Sequence, residues 1–421
     1  MTSKSRIPVR CLLALLVGSA LLVAPGGASA LTVGFLDPSY QAEDNARFWS
    51  DMTALRASVL RYDVYWNDIA PNRPARPRDP ASSEYRWENL DRLVVDAAQR
   101  RAEVVLTLWR TPRWARADGG RGGKPNLYSW APRIADWRAF VYAAAVRYSG
   151  SFDPDGDGSA LPRVRYWELW NEPNYIGSLR PQRAAGRGGK PGKPISPTTY
   201  TGLLNTGYAE IGRVERERRV SMSVLGGAMN RGFAGAGSVA PLVFLRGMRA
   251  AKATFDIASL HPYPLTGRVG FTDGTKAPNI TLANIGEYLR ELDRLWPAKR
   301  YRVWLTEYGV QSIPDRYGTS LQGQASFLRA AMTKLKGMPR ISTLVWFLIR
   351  DEAVEASGRS DQWQSGLRTV DGRNKPSYTA WQASAPARPA ARPLAASAPI
   401  IDFAAFAADR LAVPVAADRM A

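Results

Sequence analysis

Tyr166–Asn174 reads YWELWNEPN, an aromatic and apolar run that ends in an acidic turn. Val164–Leu169 suits a buried strand, and Asn171-Glu172-Pro173-Asn174 is a turn cluster that stops it. Glu172 is therefore expected at the exit of a strand, where parallel β/α barrels keep their chemistry. A second segment of the same shape follows: Tyr301–Thr306, YRVWLT, runs into Glu307, Tyr308 and Gly309. Either glutamate alone reads as an ordinary surface residue. Two carboxylates at strand exits together point to a paired-acid mechanism.

Outward from these segments, short β-branched or aromatic runs alternate with longer amphipathic ones. Strands are expected at Leu31–Leu36, Ser58–Tyr62, Glu103–Leu108, Val164–Leu169, Val220–Gly226, Phe255–Leu260, Tyr301–Thr306 and Ser342–Phe347. Helices are expected at Glu43–Ala57, Trp87–Arg101, Asp136–Tyr148, Pro197–Arg218, Ala240–Lys252, Leu282–Leu295, Leu321–Lys336 and from Ser377. Eight alternations argue for an α/β fold of the (β/α)8 TIM-barrel type, one catalytic domain over residues 31–382. A doubly wound nucleotide-binding sheet needs a Gly-rich turn after its first strand, and Phe35-Leu36-Asp37-Pro38 offers none.

The pairing of WNEP with the later LTEYG resembles the clan A retaining glycoside hydrolases. TPRWA at Thr111–Ala115, WNEPN, and SLHPY at Ser259–Tyr263 look most like glycoside hydrolase family 39 and its bacterial exopolysaccharide-hydrolase relatives. The resemblance implies a secreted glycosidase acting on a polysaccharide or oligosaccharide by double displacement, with no cofactor. Glu172 would be the acid/base and Glu307 the nucleophile, their carboxyl groups about 5 to 5.5 Å apart. The charge on Glu307 favours a protonated Glu172, and its neutralisation in the covalent intermediate lets Glu172 turn to base.

By the same resemblance Asn171 would bond the sugar 2-hydroxyl, and Arg61, at the end of the second strand, would hold the nucleophile. Tyr263 would also bond the nucleophile, His261 would touch the sugar, and Trp346 would be the platform under it. Trp109, with Trp114 and Trp66, would line further subsites. Plainer roles stay open: Asn171 suits a turn cap, Arg61 a structural salt bridge, and tryptophan is an ordinary core residue. His261 is the only histidine, so no second one exists to build a histidine-rich zinc site.

The formal charge of +20 favours anionic polymers, although an Arg-rich composition explains it as well. The hexapeptide GRGGKP occurs twice, at Gly120–Pro125 and Gly186–Pro191, in loops expected on the catalytic face. With Arg113, Arg116, Arg180, Arg183 and Lys193 it would form a basic rim suited to an acidic glycan, or simply a solvated loop. Asp153, Asp155 and Asp157 in DPDGDGS resemble the start of a calcium loop, but Val164 stands where its closing Glu belongs.

Residues 1–30 have the basic, apolar and Ala28-Ser29-Ala30 pattern of a secretory signal, so a secreted protein with no stable membrane insertion after cleavage is expected. Cys11, the only cysteine, falls in that segment. Residues 383–421 are Ala/Pro-rich and read as a disordered tail with one apolar patch at Ile400–Phe406. Two other functions compete. A catalytically silent glycan-binding barrel would not need both carboxylates and Arg61, and a basic scaffold for nucleic acid would need a recognition module that is absent from the text.

Overall fold

Each of the eight β-branched or aromatic runs forms a strand, and in a computed structural model of the chain they close into one parallel barrel in sequence order. Residues 31–121, 128–188, 190–232, 237–268, 270–353 and 362–388 are described. The expected signal segment, most of the expected tail, Cys11, and part of each GRGGKP loop lie outside them.

The elements run β1 (Thr32–Leu36), α1 (Pro38–Glu43), α2 (Asn45–Ala54), β2 (Val59–Tyr65), α3 (Trp66–Ile69), α4 (Glu88–Gln99), β3 (Glu103–Trp109), α5 (Ile134–Arg147) and β4 (Tyr166–Leu169). They continue with α6 (Ser196–Arg218), β5 (Ser223–Asn230), α7 (Pro241–Ala250), β6 (Ile257–His261), α8 (Ile285–Leu295), β7 (Val303–Tyr308), α9 (Leu321–Lys336), β8 (Ile341–Phe347) and α10 (Pro376–Ser384). No helix among the described residues is long and apolar enough to cross a membrane.

Strands buried on both faces read as continuous apolar runs rather than alternating ones. One face of each fills the barrel: Val59, Val105, Leu225, Ile257, Trp304 and Val345 pack there as a small inner core. The other face, with Val104, Leu106 and Leu108 on β3 for example, packs against the helices in the larger core. The helices supply matching stripes. On α8, Ile285, Tyr288, Glu291 and Leu292 are buried at helical spacing while Arg290 and Asp293 point outward. Ser320 caps α9, its side chain accepting from the Gly323 amide at 3.0 Å.

Four of the departures from the expected boundaries have a local physical reason. The single helix expected over Glu43–Ala57 is two, because Asp44 ends α1 with its amide on Tyr40 O (2.9 Å) and starts α2 with its carboxylate on Arg47 N (3.0 Å). Strand β2 runs on to Tyr65, and the polar Asp63 faces into the barrel beside Arg61. Strand β5 extends through Gly226-Gly227 as a bulge, with Gly227 at φ +123° and no room for a Cβ, which would lie 2.4 Å from the Ser259 carbonyl. The packed chain also passes residue 382, since α10 ends at Ser384 and Arg388 Nη2 donates to Arg100 O at 2.7 Å.

Candidate active site

Inward-facing positions near the C-terminal ends of the strands are polar, the reverse of the apolar inner core beneath them. Arg61 on β2 is wholly buried and spreads its guanidinium over three partners. Nε donates to Glu168 Oε2 at 2.8 Å, Nη1 to Glu307 Oε1 at 2.6 Å and Nη2 to Asn171 Oδ1 at 2.9 Å. Nη1 also lies 3.4 Å from Asp63. Arg61 is thus in the middle of β2, not at its end, and reaches the mouth by its length. A rigid, planar fork of five donors suits this three-way position, which a lysine could not fill.

Glu168 on β4 anchors the base of this array. It is fully buried, and its carboxylate also accepts from Thr107 Oγ1 (2.9 Å) and Thr306 Oγ1 (2.8 Å). Burial pushes this carboxyl up, but the charge of Arg61, that of His261, and the bonds from Arg61 and Thr306 outweigh it and hold Glu168 below the usual glutamate value.

The two expected catalytic glutamates reach the mouth by local breaks in strand geometry. After β4, Trp170 (φ +79°) and Glu172 (φ +42°) both occupy the left-handed region, which for non-glycine residues costs on the order of 1–3 kcal/mol each. Tertiary contacts hold the turn. Trp170 N donates to Leu108 O at 3.0 Å, Glu172 N to Ala228 O at 3.0 Å, and the Trp170 indole to Ser178 O at 3.0 Å. On β7 the register slips between Leu305 and Tyr308, which lets Thr306 and Glu307 both face the interior. Their side chains bond Glu168 and Arg61 respectively.

One oxygen of Glu172, one of Glu307 and a ring nitrogen of His261 all lie within 4.8 Å of one another. The glutamate side chains keep 18% and 12% exposure, enough to meet a ligand, while His261 and Arg61 beneath them have none. Their surroundings differ. Glu307 takes Arg61 on Oε1 and the Tyr263 hydroxyl on Oε2 at 3.1 Å. Glu172 takes Asn230 Nδ2 on Oε2 at 3.3 Å and faces His261 Nδ1 at 3.1 Å through Oε1.

Burial, with the charges of Glu172 and Asp63 added, holds the Glu307 carboxyl above the usual glutamate value although His261 and Arg61 pull it down. Burial pushes the His261 imidazole down, but the charge of Glu307 and the bond to Glu172 prevail and hold it above the ordinary histidine value. The tautomer follows from the network: Thr306 Oγ1 gives its proton to Glu168, so it accepts from His261 Nε2–H at 3.1 Å. Nδ1 is therefore the ring nitrogen left to face Glu172.

Asn171 Oδ1 is fixed by Arg61, and its amide nitrogen has no partner among the described residues, leaving a donor for a ligand. Trp109 stands half-buried at the exit of β3, edge-on to Tyr65 with ring centres 5.5 Å apart, and Arg110 lies over both rings. Trp66 is fully buried against Phe140, and Trp114 bonds Ala70 O, so both serve the core.

Trp346 does not lie under the cleavage point. Its neighbours Val345 and Phe347 pack on the inner face of β8, so Trp346 turns outward, fully buried, with its indole on Ser365 O (2.9 Å) and its ring against Trp381 of α10. The aromatic side chains on that side of the mouth are Phe347 and Trp363, whose ring centres are 5.1 Å apart, with Trp363 5.7 Å from Tyr263.

The calcium reading is not supported either. Asp153 spends its carboxylate on the amides of Asp155, Gly156 and Gly158, and Asp157 bonds the Ser159 amide. Among the described residues these aspartates do not form a convergent ligand group. Of the expected basic rim, Arg116 is buried and paired with Asp118 at 2.6 Å. Glu168, Thr306 and Asn230 were missed in the sequence, where only Glu168's place two residues before a strand exit offered a signal.

Residues 243–370, under a third of the chain and including His261, Tyr263 and Glu307, match the family model for the glycosyl hydrolase catalytic core. No curated protein sequence matches the chain. Among solved structures it is similar to a family 39 glycoside hydrolase from Bacteroides cellulosilyticus WH2, at 19% identity and TM-score 0.59, over 86% of this chain and 64% of that one. A monomeric β-xylosidase from Caulobacter crescentus CB15 matches at 18% identity and TM-score 0.55, over 84% of this chain and 66% of that one. Xylanase 10B from Thermotoga petrophila RKU-1, solved with xylobiose, matches at 14% and 0.50, over 84% and 93%. The chain thus spans about two thirds of the first two structures, and at these identities the likeness is one of fold. The chain therefore has an eight-stranded β/α barrel like that of these glycoside hydrolases, and its residues 243–370 match the glycosyl hydrolase catalytic core.

Proposed function

We propose that the protein is a retaining glycoside hydrolase acting on the O-glycosidic bonds of a polysaccharide or oligosaccharide. The observation that carries this is the pair Glu172 and Glu307 at the exits of β4 and β7, within 4.8 Å of each other yet differently supported. Such a separation suits double displacement, whereas inversion needs about 6.5–9.5 Å to admit a water.

In the first step a Glu307 oxygen attacks the anomeric carbon, the glycosidic C–O bond breaks, and the leaving oxygen takes the proton of Glu172. In the second, water gives a proton to Glu172 and attacks the same carbon, and the bond to Glu307 breaks. Arg61 and Tyr263 favour the ionised Glu307 that the first step needs. The free amide nitrogen of Asn171 suits a sugar hydroxyl beside the attacked carbon. The same reading takes residues 1–30 as an export signal and the protein as secreted, which N-terminal sequencing of exported material tests.

The test is to incubate the purified chain, beside Glu307→Gln, with neutral and acidic β-linked polysaccharides and aryl glycosides, and to follow product anomers by NMR. Release by the wild type alone, with the β-anomer appearing first, supports the reading. Initial release of the α-anomer, or release undiminished in Glu307→Gln, would overturn it.

A further inference from the structure

Between Glu172 and α6 the chain makes a long loop, and its wall borders an open cavity of about 220 Å³. Trp130, Ile176, Arg180, Gln182, Arg183 and Gly192 are among the residues that line it, and no lining residue is acidic. Neither Arg180 nor Arg183 forms a salt bridge among the described residues. Arg180 uses only Nε, on Ser129 Oγ at 3.1 Å, so the outer end of its fork is uncommitted. Arg183 reaches two backbone carbonyls at long range, Gly192 O (3.3 Å) and Ser238 O (3.4 Å), while its buried Nε–H has no acceptor. The buried indole N–H of Trp130 has none either. Buried donors without acceptors cost free energy, and two guanidinium groups without a counter-charge favour an incoming oxyanion.

The cavity is fixed relative to the reaction centre. Gln182 donates to Pro173 O, next to Glu172, at 2.8 Å and accepts from Ser196 Oγ at 2.9 Å. Tyr175 N, beside the lining residue Ile176, donates to Glu172 O at 2.9 Å. The wall closes because residue 192 is glycine: a Cβ there would lie 2.3 Å from the Ala184 carbonyl. The acid/base carboxyl delivers its proton to the leaving oxygen, so the loop that carries Glu172 borders the sugar being expelled. The volume lies below the roughly 300 Å³ at which pockets for drug-sized ligands begin, which fits a single sugar ring. We propose that this cavity is a leaving-group subsite for a uronic acid residue, its carboxylate held by Arg180 and Arg183 and its ring against Trp130. The inference rests on the hydrolase reading above.

The experiment uses the full chain carrying Glu307→Gln, so that nothing is turned over, and follows tryptophan fluorescence and heat during titration. The probes are methyl β-D-glucuronide, trigalacturonate, methyl β-D-glucoside and glucose 6-sulfate. Uronates should bind about 10-fold or more tightly than the glucoside, and Arg183→Gln and Arg180→Gln should each remove most of that preference, the loss of one charge-assisted contact. Arg187→Gln removes an equal charge from an exposed position outside the lining and should not. Melting temperatures check folding, and Arg180, with one side-chain bond, provides the readout if Arg183→Gln does not fold.

Equal binding of the glucoside, a preference for the sulfate, or equal weakening by Arg187→Gln would each overturn the subsite. Hydrolysis that depends on Glu307 without uronate preference removes this inference alone. Uronate binding through Arg180 and Arg183 with no hydrolysis of any substrate removes the hydrolase reading, and with it the leaving-group position of the cavity.

Discussion

His261 Nδ1 stands 3.1 Å from Glu172 Oε1, and its other ring nitrogen is committed to Thr306. The imidazole and the expected acid/base carboxyl thus face each other across one hydrogen bond. His261 is held above its ordinary 6.5, so the folded chain keeps a proton that the unfolded chain releases. The stabilisation is whole below pH about 6.5 and fades as pH rises through the raised value. Replacing His261 by Asn should flatten this slope in melting temperature against pH. An unchanged slope would rule out His261 as the group that keeps the proton.

Glu172 and Glu307 should fail differently when removed. Glu307→Ala should abolish turnover of every substrate, because the carboxylate that would form the covalent intermediate is gone. Glu172→Ala should slow substrates with poor leaving groups by about 10²–10⁴ and leave activated aryl glycosides far less affected in the first step. A Brønsted plot of rate against leaving-group pKa, steep in the variant and shallow in the wild type, is the check. Equal loss across the series would exclude Glu172 as acid.

The fold was legible because each strand of a β/α barrel is an uninterrupted apolar run, and such runs stand out between amphipathic helices. Glu172 and Glu307 were legible because turn residues follow them directly. The rest of the site depends on which way a side chain faces, and that fails where strands bulge. Thr306 and Glu307 both point inward only because the register slips beside them, and Asn230 reaches Glu172 only because β5 carries the Gly226-Gly227 bulge. Trp346 shows the same limit from the other side: two successive aromatic residues, Trp346 and Phe347, end β8, and composition does not say which faces the barrel mouth. Glu168 sits inside an apolar strand, and only the folded barrel brings Arg61, Thr107 and Thr306 around it.

Glu168 touches neither expected catalytic glutamate, yet it fixes both Arg61 and, through Thr306, His261. Glu168→Gln keeps the shape and removes the charge opposite a buried guanidinium. Breaking a buried pair on one side costs about 3–5 kcal/mol, to be read from denaturant unfolding. Because Arg61 and His261 lose their anchor, kcat should fall while KM changes little, and the pH profile should shift. A variant as stable as the wild type with an unaltered profile would reduce Glu168 to a bystander.

Trp346 and Trp363 lie on the same side of the barrel but face different surroundings, so one substitution should unfold and the other should unbind. Trp346 is buried between β8 and α10, its indole on Ser365 O, and Trp346→Ala should cost about 3–5 kcal/mol through the cavity it leaves. The milder Trp346→Phe should lower the melting temperature and leave KM near the wild-type value. Trp363 is half-buried beside Tyr263 and Phe347, where an aromatic face is open to a sugar ring. Trp363→Ala should raise KM about 10-fold with little loss of melting temperature. If instead Trp346→Phe raises KM and Trp363→Ala does not, the sugar platform is Trp346 and the outward orientation of its ring in β8 is wrong.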